Sequence, residues 1–404
     1  MPDCVALVGR LILSKKIMKT KSIVSIIILA IMVTQVKSQT VSEKFKSKII
    51  TDFEKRACGN KSNNTGILLI HSPSLGIHWK TAAHPDSSVS VSPDQPYHFA
   101  SIGKTITSVM VSILYEKGLL DFDEKISKYL NDSILARLHI YKGVDYSREI
   151  KIRHLLNHTS GLPDHYLDKN NAGICLLDQM ISDPEHFWTP IETINWTKQE
   201  LKPKFKPGNG FHYSDTNYEL LGLIIEKVTG KNFSQCLHEY IFEPLEMQHT
   251  YQIFHSEPKV KSNFPMVDLY HKGANLSNAK SISMSCASGG IVSTTEDMLK
   301  FHKAIVENKI IKKETFEKMQ DYVKMGPSFY YGYGIMNFRF MFMPDKYHIL
   351  GNSGSIGAFM YYNPGMDIYM IGSFHKVNYQ VQPIFYIFNT LRKFNKELKR
   401  NRKS

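Results

Sequence analysis

Apolar positions recur with a helical period over the best-marked stretch of the chain. Ile102, Ile106, Val109, Met110, Ile113 and Leu114 fall on one face of a 3.6-residue repeat, and Lys117-Gly118 closes it as helix ends prefer. Val41 to Arg56 reads as an earlier helix. Between the two, the apolar runs Gly66 to His71 and Gly76 to Lys80 lie on either side of Pro73-Ser74-Leu75 and predict a hairpin, while Ser88 to Ser92 alternates weakly. Helical signals dominate from Leu119 to about Ala279. Asp121 begins a short amphipathic helix ending near Leu130, and a turn from Ile152 breaks at Gly161. A mixed segment, Pro184 to Leu201, is broken by Pro190; helices follow over Asn217 to Val228, stopped by Gly230, and over Phe233 to Phe242. Ser293 with Glu296 has the spacing of a capping box for a helix reaching Val306. Beyond Gly332 the chain turns to strands, over Tyr333 to Met343, Tyr347 to Gly351, Ala358 to Tyr362 and Ile368 to Phe374, with Asn363-Pro364-Gly365 as a turn. A last helix runs from about Tyr379 to Leu398. Strands at both ends around a helical middle predict an α+β fold. One antiparallel sheet is assembled from the two termini and flanked by helices, the mostly helical region is an insertion, and a cleft lies between the layers.

Composition adds little to this picture: 404 residues, 42% apolar and 22% charged, are those of an ordinary globular chain. The first residues differ. Lys15, Lys16, Lys19 and Lys21 precede an apolar segment, Ile23 to Val33, that is short for a bilayer span, and Val36-Lys37-Ser38 suits cleavage before Gln39. Residues 1–38 therefore read as a signal peptide, of more ordinary proportions if it starts at Met18, and residues 39–404 as one domain. Its sheet regions are about 41–118 and 285–398, and its helical region about 119–284. A secreted or periplasmic location follows, with an uncleaved membrane anchor as the alternative. The formal net charge is +13. Arg10, Lys15, Lys16, Lys19, Lys21 and Lys37 against Asp3 leave with the leader, so the mature chain is near +8. Part of that excess is the tail, Arg392, Lys393, Lys396, Lys399, Arg400, Arg402 and Lys403, which implies a solvated helix end and a weak attraction to an anionic cell envelope. No nucleic-acid motif accompanies it. Cys58, Cys175, Cys236 and Cys286 are widely spaced without a C-x-x-C pair; this argues against a cysteine zinc site and leaves disulfide pairing open.

Candidate chemistry begins at the mouth of the best-marked helix. Ser101 precedes Lys104 by three residues, so hydroxyl and amine share one side of its first turn. A serine hydroxyl is a weak nucleophile until a neighbouring group takes its proton, and a helix N-terminus favours developing negative charge. This is the S-x-x-K arrangement of acyl-transfer enzymes. Tyr213, at a loop-to-helix corner, is a candidate general base if cations lower its pKa. Asn352-Ser353-Gly354-Ser355 is a glycine-containing strand segment whose backbone a substrate can approach; the Ser355 amide could join that of Ser101 as an oxyanion hole. His154 and His158 are four apart, but Leu155 stands where a zinc protease needs glutamate, and packing or hydrogen bonding is the expected role.

Three motifs in this order resemble those of the class C β-lactamase and penicillin-binding-protein-like serine hydrolases: Ser101-Ile102-Gly103-Lys104, Tyr213-Ser214-Asp215 and Asn352-Ser353-Gly354. The likeness covers roughly Val41 to Phe374 and extends to the stretches from Ile152 to Leu162, Phe242 to Met247 and Ala287 to Thr294. It implies the β-lactamase/DD-peptidase-like fold and a secreted serine hydrolase working through an acyl-enzyme on Ser101. Lys104 would hold the deprotonated state, Tyr213 would act as base and then acid, and Asp215, Asn352, Gly354 and Ser355 would line the substrate and oxyanion site. No metal or organic cofactor is implied; the partner is a small-molecule or peptide substrate, such as an ester, an amide or a D-amino-acid-containing peptide. A β-lactamase, a D,D-carboxypeptidase, and a binding or sensing protein of weak turnover are the alternatives. Two positions depart from the usual pattern. Asp215 stands for asparagine, and neutral Asn352 stands for a lysine or histidine, which removes a charge-assisted grip on a substrate carboxylate. The expectation is weak β-lactam turnover, better activity on uncharged esters or amides, and a shift toward carboxylate substrates in Asn352→His or Asn352→Lys.

Overall fold

The structure, a computed structural model, describes residues 41–59, 64–340, 343–377 and 379–401. The segment read as a signal peptide lies outside them. Among the described residues no helix is long and apolar enough to cross a membrane, and Cys58, Cys175, Cys236 and Cys286 are free thiols.

The chain opens with helix α1 (Glu43–Cys58), whose Ser42 side chain caps the Phe45 amide. The hairpin follows as β1 (Gly66–Ser72) and β2 (Ile77–Ala83). Helix α2 (Gly103–Glu116) carries the nucleophile motif at its head. In the helical region, α3 (Pro190–Glu200) and α4 (Asp215–Thr229) are the longest elements; α5 (Thr295–Val306) follows it. Strands β3 (Val323–Gly326), β4 (Phe329–Tyr331), β5 (Met336–Phe338), β6 (Ile349–Ser353), β7 (Ala358–Asn363) and β8 (Ile368–Ser373) then lead to α6 (Gln382–Asn401).

Among the described residues these eight strands form one antiparallel sheet in the order β3-β4-β5-β6-β7-β8-β1-β2. The N-terminal hairpin thus joins the C-terminal strands through β1 and β8, with Leu69 opposite Ile371. Strand β1 is buried on both faces, and its side chains alternate between two cores. Leu68 and Ile70 pack with Phe53, Tyr386 and Phe394 of α1 and α6; Ile67 and Leu69 pack with α2, α5 and the helical region. Full burial of such a side chain contributes roughly 1.5–3 kcal/mol.

Helix α2 is buried through Leu114, polar residues included. Thr105 and Thr107 donate to the carbonyls of Gly334 and Ala287 at 2.6 Å each, and Ser108 meets the Tyr218 hydroxyl at 3.1 Å. The helix can run through the interior because its hydroxyls are satisfied there.

Several elements differ from expectation. Pro190 opens α3 instead of breaking it, since a first-turn position needs no N–H and Thr189 supplies the cap with Glu192. Thr294, not Ser293, caps α5, because Ser293 is drawn to Thr250 at 2.7 Å and Glu296 to Lys80 at 2.9 Å. The helix expected from Asp121 shrinks to a single 3₁₀ turn at Ile126–Lys128, and Ser88 to Ser92 forms no strand.

Candidate active site

Ser101 sits in a 3₁₀ turn, Ala100–Ile102, directly before α2. Ala100 takes a positive φ of 47°, a costly conformation for a residue with a side chain, and it presents Ser101 to the cleft. The backbone of Gly289 closes on this turn: a Cβ added to Gly289 would lie 3.2 Å from the Ala100 carbonyl carbon. Gly354 approaches from β6, where an added Cβ would come within 2.7 Å of the Phe99 oxygen. Small residues therefore bring helix turn and sheet edge together at the nucleophile.

Lys104 is completely buried one turn further on. Its Nζ donates to Asp215 Oδ1 at 2.7 Å and to the Ser288 carbonyl at 2.9 Å, and stands 3.3 Å from Ser101 Oγ. Burial alone would lower its pKa, but the carboxylate of Asp215 and the Tyr213 oxygen outweigh that, and the amine is held charged. Tyr213 contacts both Ser101 and Lys104 through its hydroxyl, and Lys104 Nζ lies 5.0 Å from its ring centre. Burial pushes the Tyr213 phenol up, Lys104 pulls it down and Asp215 adds to the rise, so the net direction is upward. The expected lowering by cations is thus not the outcome: burial outweighs the pull of Lys104, and Asp215 adds to the rise.

Ser101, Asp215 and Ser355 line one cleft with His98, Tyr166, Leu177, Met180, Leu269, Leu276 and Ile282. Among the described residues, the amides of Ser101 and Ser355 meet no backbone acceptor, which leaves two N–H groups for an oxyanion. Among the described residues, lysine and arginine are missing from the cleft lining, and burial lowers the pKa of both its histidines, His98 and His271.

The structure places Asn352 off the cleft lining. It is fully buried beneath the nucleophile instead of lining the cleft. Its Nδ2 faces the Thr105 hydroxyl and the Gly334 carbonyl at 3.1 Å each and the Ser101 carbonyl at 3.4 Å, while Oδ1 accepts the Ser353 amide at 2.8 Å. Its polar atoms are already engaged, so it ties β6 to α2 and leaves nothing for substrate. Gly354 likewise acts by close approach. His154 and His158 serve as acceptors, from the Lys151 amide at 3.2 Å and the Ser214 amide at 3.1 Å.

Three participants escaped the sequence reading. The Ser288 carbonyl anchors Lys104; the stretch from Ala287 to Gly290 marked the place but not the role. Asp164 accepts the Asp215 amide at 2.9 Å. Glu219, buried on α4, accepts the amides of Ala287 and Ser288 at 3.3 and 3.2 Å. An acidic residue inside an otherwise apolar helix stretch was the available signal for the last.

A model of the beta-lactamase family matches residues 72–382. Penicillin-binding protein 4* of Bacillus subtilis (strain 168) is 26% identical over 277 residues, 64% of this chain and 55% of that protein, so the match spans about half of that relative's length. Among solved structures, a D-stereospecific amidohydrolase from Streptomyces sp. superposes with a TM-score of 0.69 at 21% identity, covering 84% of this chain and 97% of that one. The D-amino acid amidase from Ochrobactrum anthropi SV3 gives 0.66 at 21%, covering 87% and 99%. These superpositions show a shared fold.

Proposed function

The chain belongs to the beta-lactamase family, whose members are serine hydrolases, and on that premise we propose that it turns over an uncharged ester or amide through an acyl-enzyme on Ser101. The observation that carries this reading is the junction of Ser101 Oγ, Lys104 Nζ and the Tyr213 hydroxyl beside two unengaged amides. Ser101 Oγ attacks the substrate carbonyl carbon, and the oxygen of that carbonyl takes up negative charge against the amides of Ser101 and Ser355. Because Tyr213 rests protonated, it serves as a relay: it accepts the Ser101 proton as it hands its own to the leaving group, and no free base is required. Lys104 stays charged and stabilises the negative charge that passes through the relay. Water then reverses the sequence, giving its proton to Tyr213 and its oxygen to the acyl carbon, and Ser101 is regenerated.

The lining of the cleft supports the substrate class. Leu177, Met180, Leu269, Leu276 and Ile282 suit an apolar acyl or side-chain group, and among the described residues no lining lysine or arginine meets a carboxylate. Asp215, the carboxylate on the lining, is held by Lys104 at 2.7 Å and offers no unpaired charge to a substrate ammonium. The test is kcat/KM for p-nitrophenyl butyrate, D-phenylalanine amide and a penicillin. A missing charge-assisted bond costs about 1.5–3 kcal/mol, so penicillin should trail the better of the other two by roughly 10- to 100-fold. Penicillin as the best of the three would overturn the assignment.

A further inference from the structure

A second carboxyl stands one hydrogen bond behind the site. Asp164 is 3% exposed, and among the described residues it forms no ion pair with a lysine, arginine or histidine. Its Oδ1 accepts the amides of Asp215 and Tyr166 at 2.9 and 3.2 Å, and its Oδ2 accepts that of Leu167 at 3.2 Å. The first of these bonds fixes the opening turn of α4, and with it the carboxylate that grips Lys104.

The groups around it supply no spare positive charge. From its own loop, His165 is buried and neutral, its pKa lowered to about 4, and burial pushes the Tyr166 phenol up. Asp168 accepts the Asp164 amide at 2.9 Å but is itself matched by Lys204 and His212. From α4 come Asp215 and, one turn on, Glu219, whose carboxyl burial pushes up to about 8. From α2 comes Lys104, already paired with Asp215.

We propose that Asp164 is a positioning residue that carries a proton in the working enzyme: as the neutral acid it holds Asp215 against Lys104 without adding a second negative charge behind Ser101, and its ionisation in alkaline solution turns the site down. This rests on the acyl-enzyme reading of Ser101. Three backbone amides favour the carboxylate, but burial and the Asp215 charge outweigh them and hold the Asp164 carboxyl well above the usual carboxylate range. For an acid whose pKa is raised, the neutral form prevails below that value and is lost as pH rises through it. Proton release to solvent then sets two carboxylates against one ammonium, and the extra charge opposes the oxyanion that Ser101 must generate.

The measurement is the rate at which a fluorophosphonate labels Ser101 between about pH 6 and pH 10, in wild type and Asp164→Asn. A phosphonate needs no knowledge of the natural substrate. In wild type, labelling should fall as pH rises into the alkaline range, and in Asp164→Asn that fall should move up by about one unit or more. A residue that only braced the loop would leave the position of the fall unchanged, and an unchanged position in a folded Asp164→Asn overturns the proposal. Infrared spectroscopy gives a second reading. At pH 6.5 the neutral carboxyls of Asp164 and Glu219 should both absorb in the protonated C=O region. In Glu219→Gln the band that remains should disappear as pH rises into the alkaline range; its absence at pH 6.5 overturns the proposal even if Asp164→Asn fails to fold. A wild type that never labels would count against Ser101 as the nucleophile, while the infrared band would still decide the proton on Asp164.

Discussion

Asn352 shows what a motif does and does not disclose about a residue. Its position in the third motif was legible, and the loss of a cationic side chain there is real. Its orientation was not, because direction at a strand position depends on what packs above it, here Thr105 and Gly334. The cleft without a cation remains, but Asn352 is not the place to restore one. Asn352→Lys would bury a second ammonium near Lys104 and leave the Ser353 amide without its acceptor. An unpaired buried charge or polar group is costly; urea unfolding should show a loss of about 3 kcal/mol or more and the ester-to-penicillin ratio should not move toward penicillin. A stable Asn352→Lys with enhanced penicillin turnover would return Asn352 to the substrate site. Lys104 and Ser101 were legible for the opposite reason: their spacing on one helix turn decides their contact locally.

At the scale of elements, periodic and well-punctuated segments were readable. The helix after Ser101, the hairpin and β6 to β8 appear close to their expected places. The strands Val323–Gly326, at the sheet edge, and Phe329–Tyr331 beside it were missed: they are only 4 and 3 residues long, and Lys324 and Gly326 interrupt the first. Contacts between elements were out of reach altogether. Nothing along the chain says that Gly103 and Gly289 face each other, yet a Cβ on Gly103 would come within 3.1 Å of the Gly289 Cα. A side chain at Gly289 would press on Ala100 and swing Ser101 out of line with its amide partners. Gly289→Val is expected to slow phosphonate labelling by about tenfold or more, as displacement of one oxyanion donor does, while the protein still unfolds cooperatively. Unchanged labelling would show that the turn tolerates displacement.

For the whole molecule, the sequence disclosed that the two termini build one sheet but not the order of its strands, which β1 completes by pairing with β8. The helical region and the sheet bury many titratable groups, and these set a stability profile against pH. Burial lowers His154 and His165 to about 4 and His302 and His375 to about 3. Such groups stabilise the fold above their unfolded value near 6.5, and the contribution is lost as pH falls through the folded values. Asp164 and Glu219 act in the reverse sense: both carboxyls are pushed up by burial, Glu219 to about 8, so they stabilise fully below about 4 and lose the contribution as pH climbs through the raised values. Four imidazoles outweigh two carboxyls below pH 6.5; above it the carboxyls act, joined toward pH 9 by the thiols of Cys175, Cys236 and Cys286, which burial pushes up. Thermal unfolding followed by circular dichroism should therefore give the highest Tm near pH 6.5, with a decline on both sides; a Tm that rises steadily from pH 6.5 to 9 would contradict the burial of these carboxyls.

The proposed acyl-enzyme forms on Ser101. Intact-mass spectrometry after exposure to a serine-directed phosphonate tests it most directly, in wild type, Ser101→Ala and Lys104→Met. Wild type should gain one added mass located on Ser101 and Ser101→Ala none, and labelling should slow by about 100-fold or more when the amine is removed. Equal labelling of wild type and Ser101→Ala would contradict it.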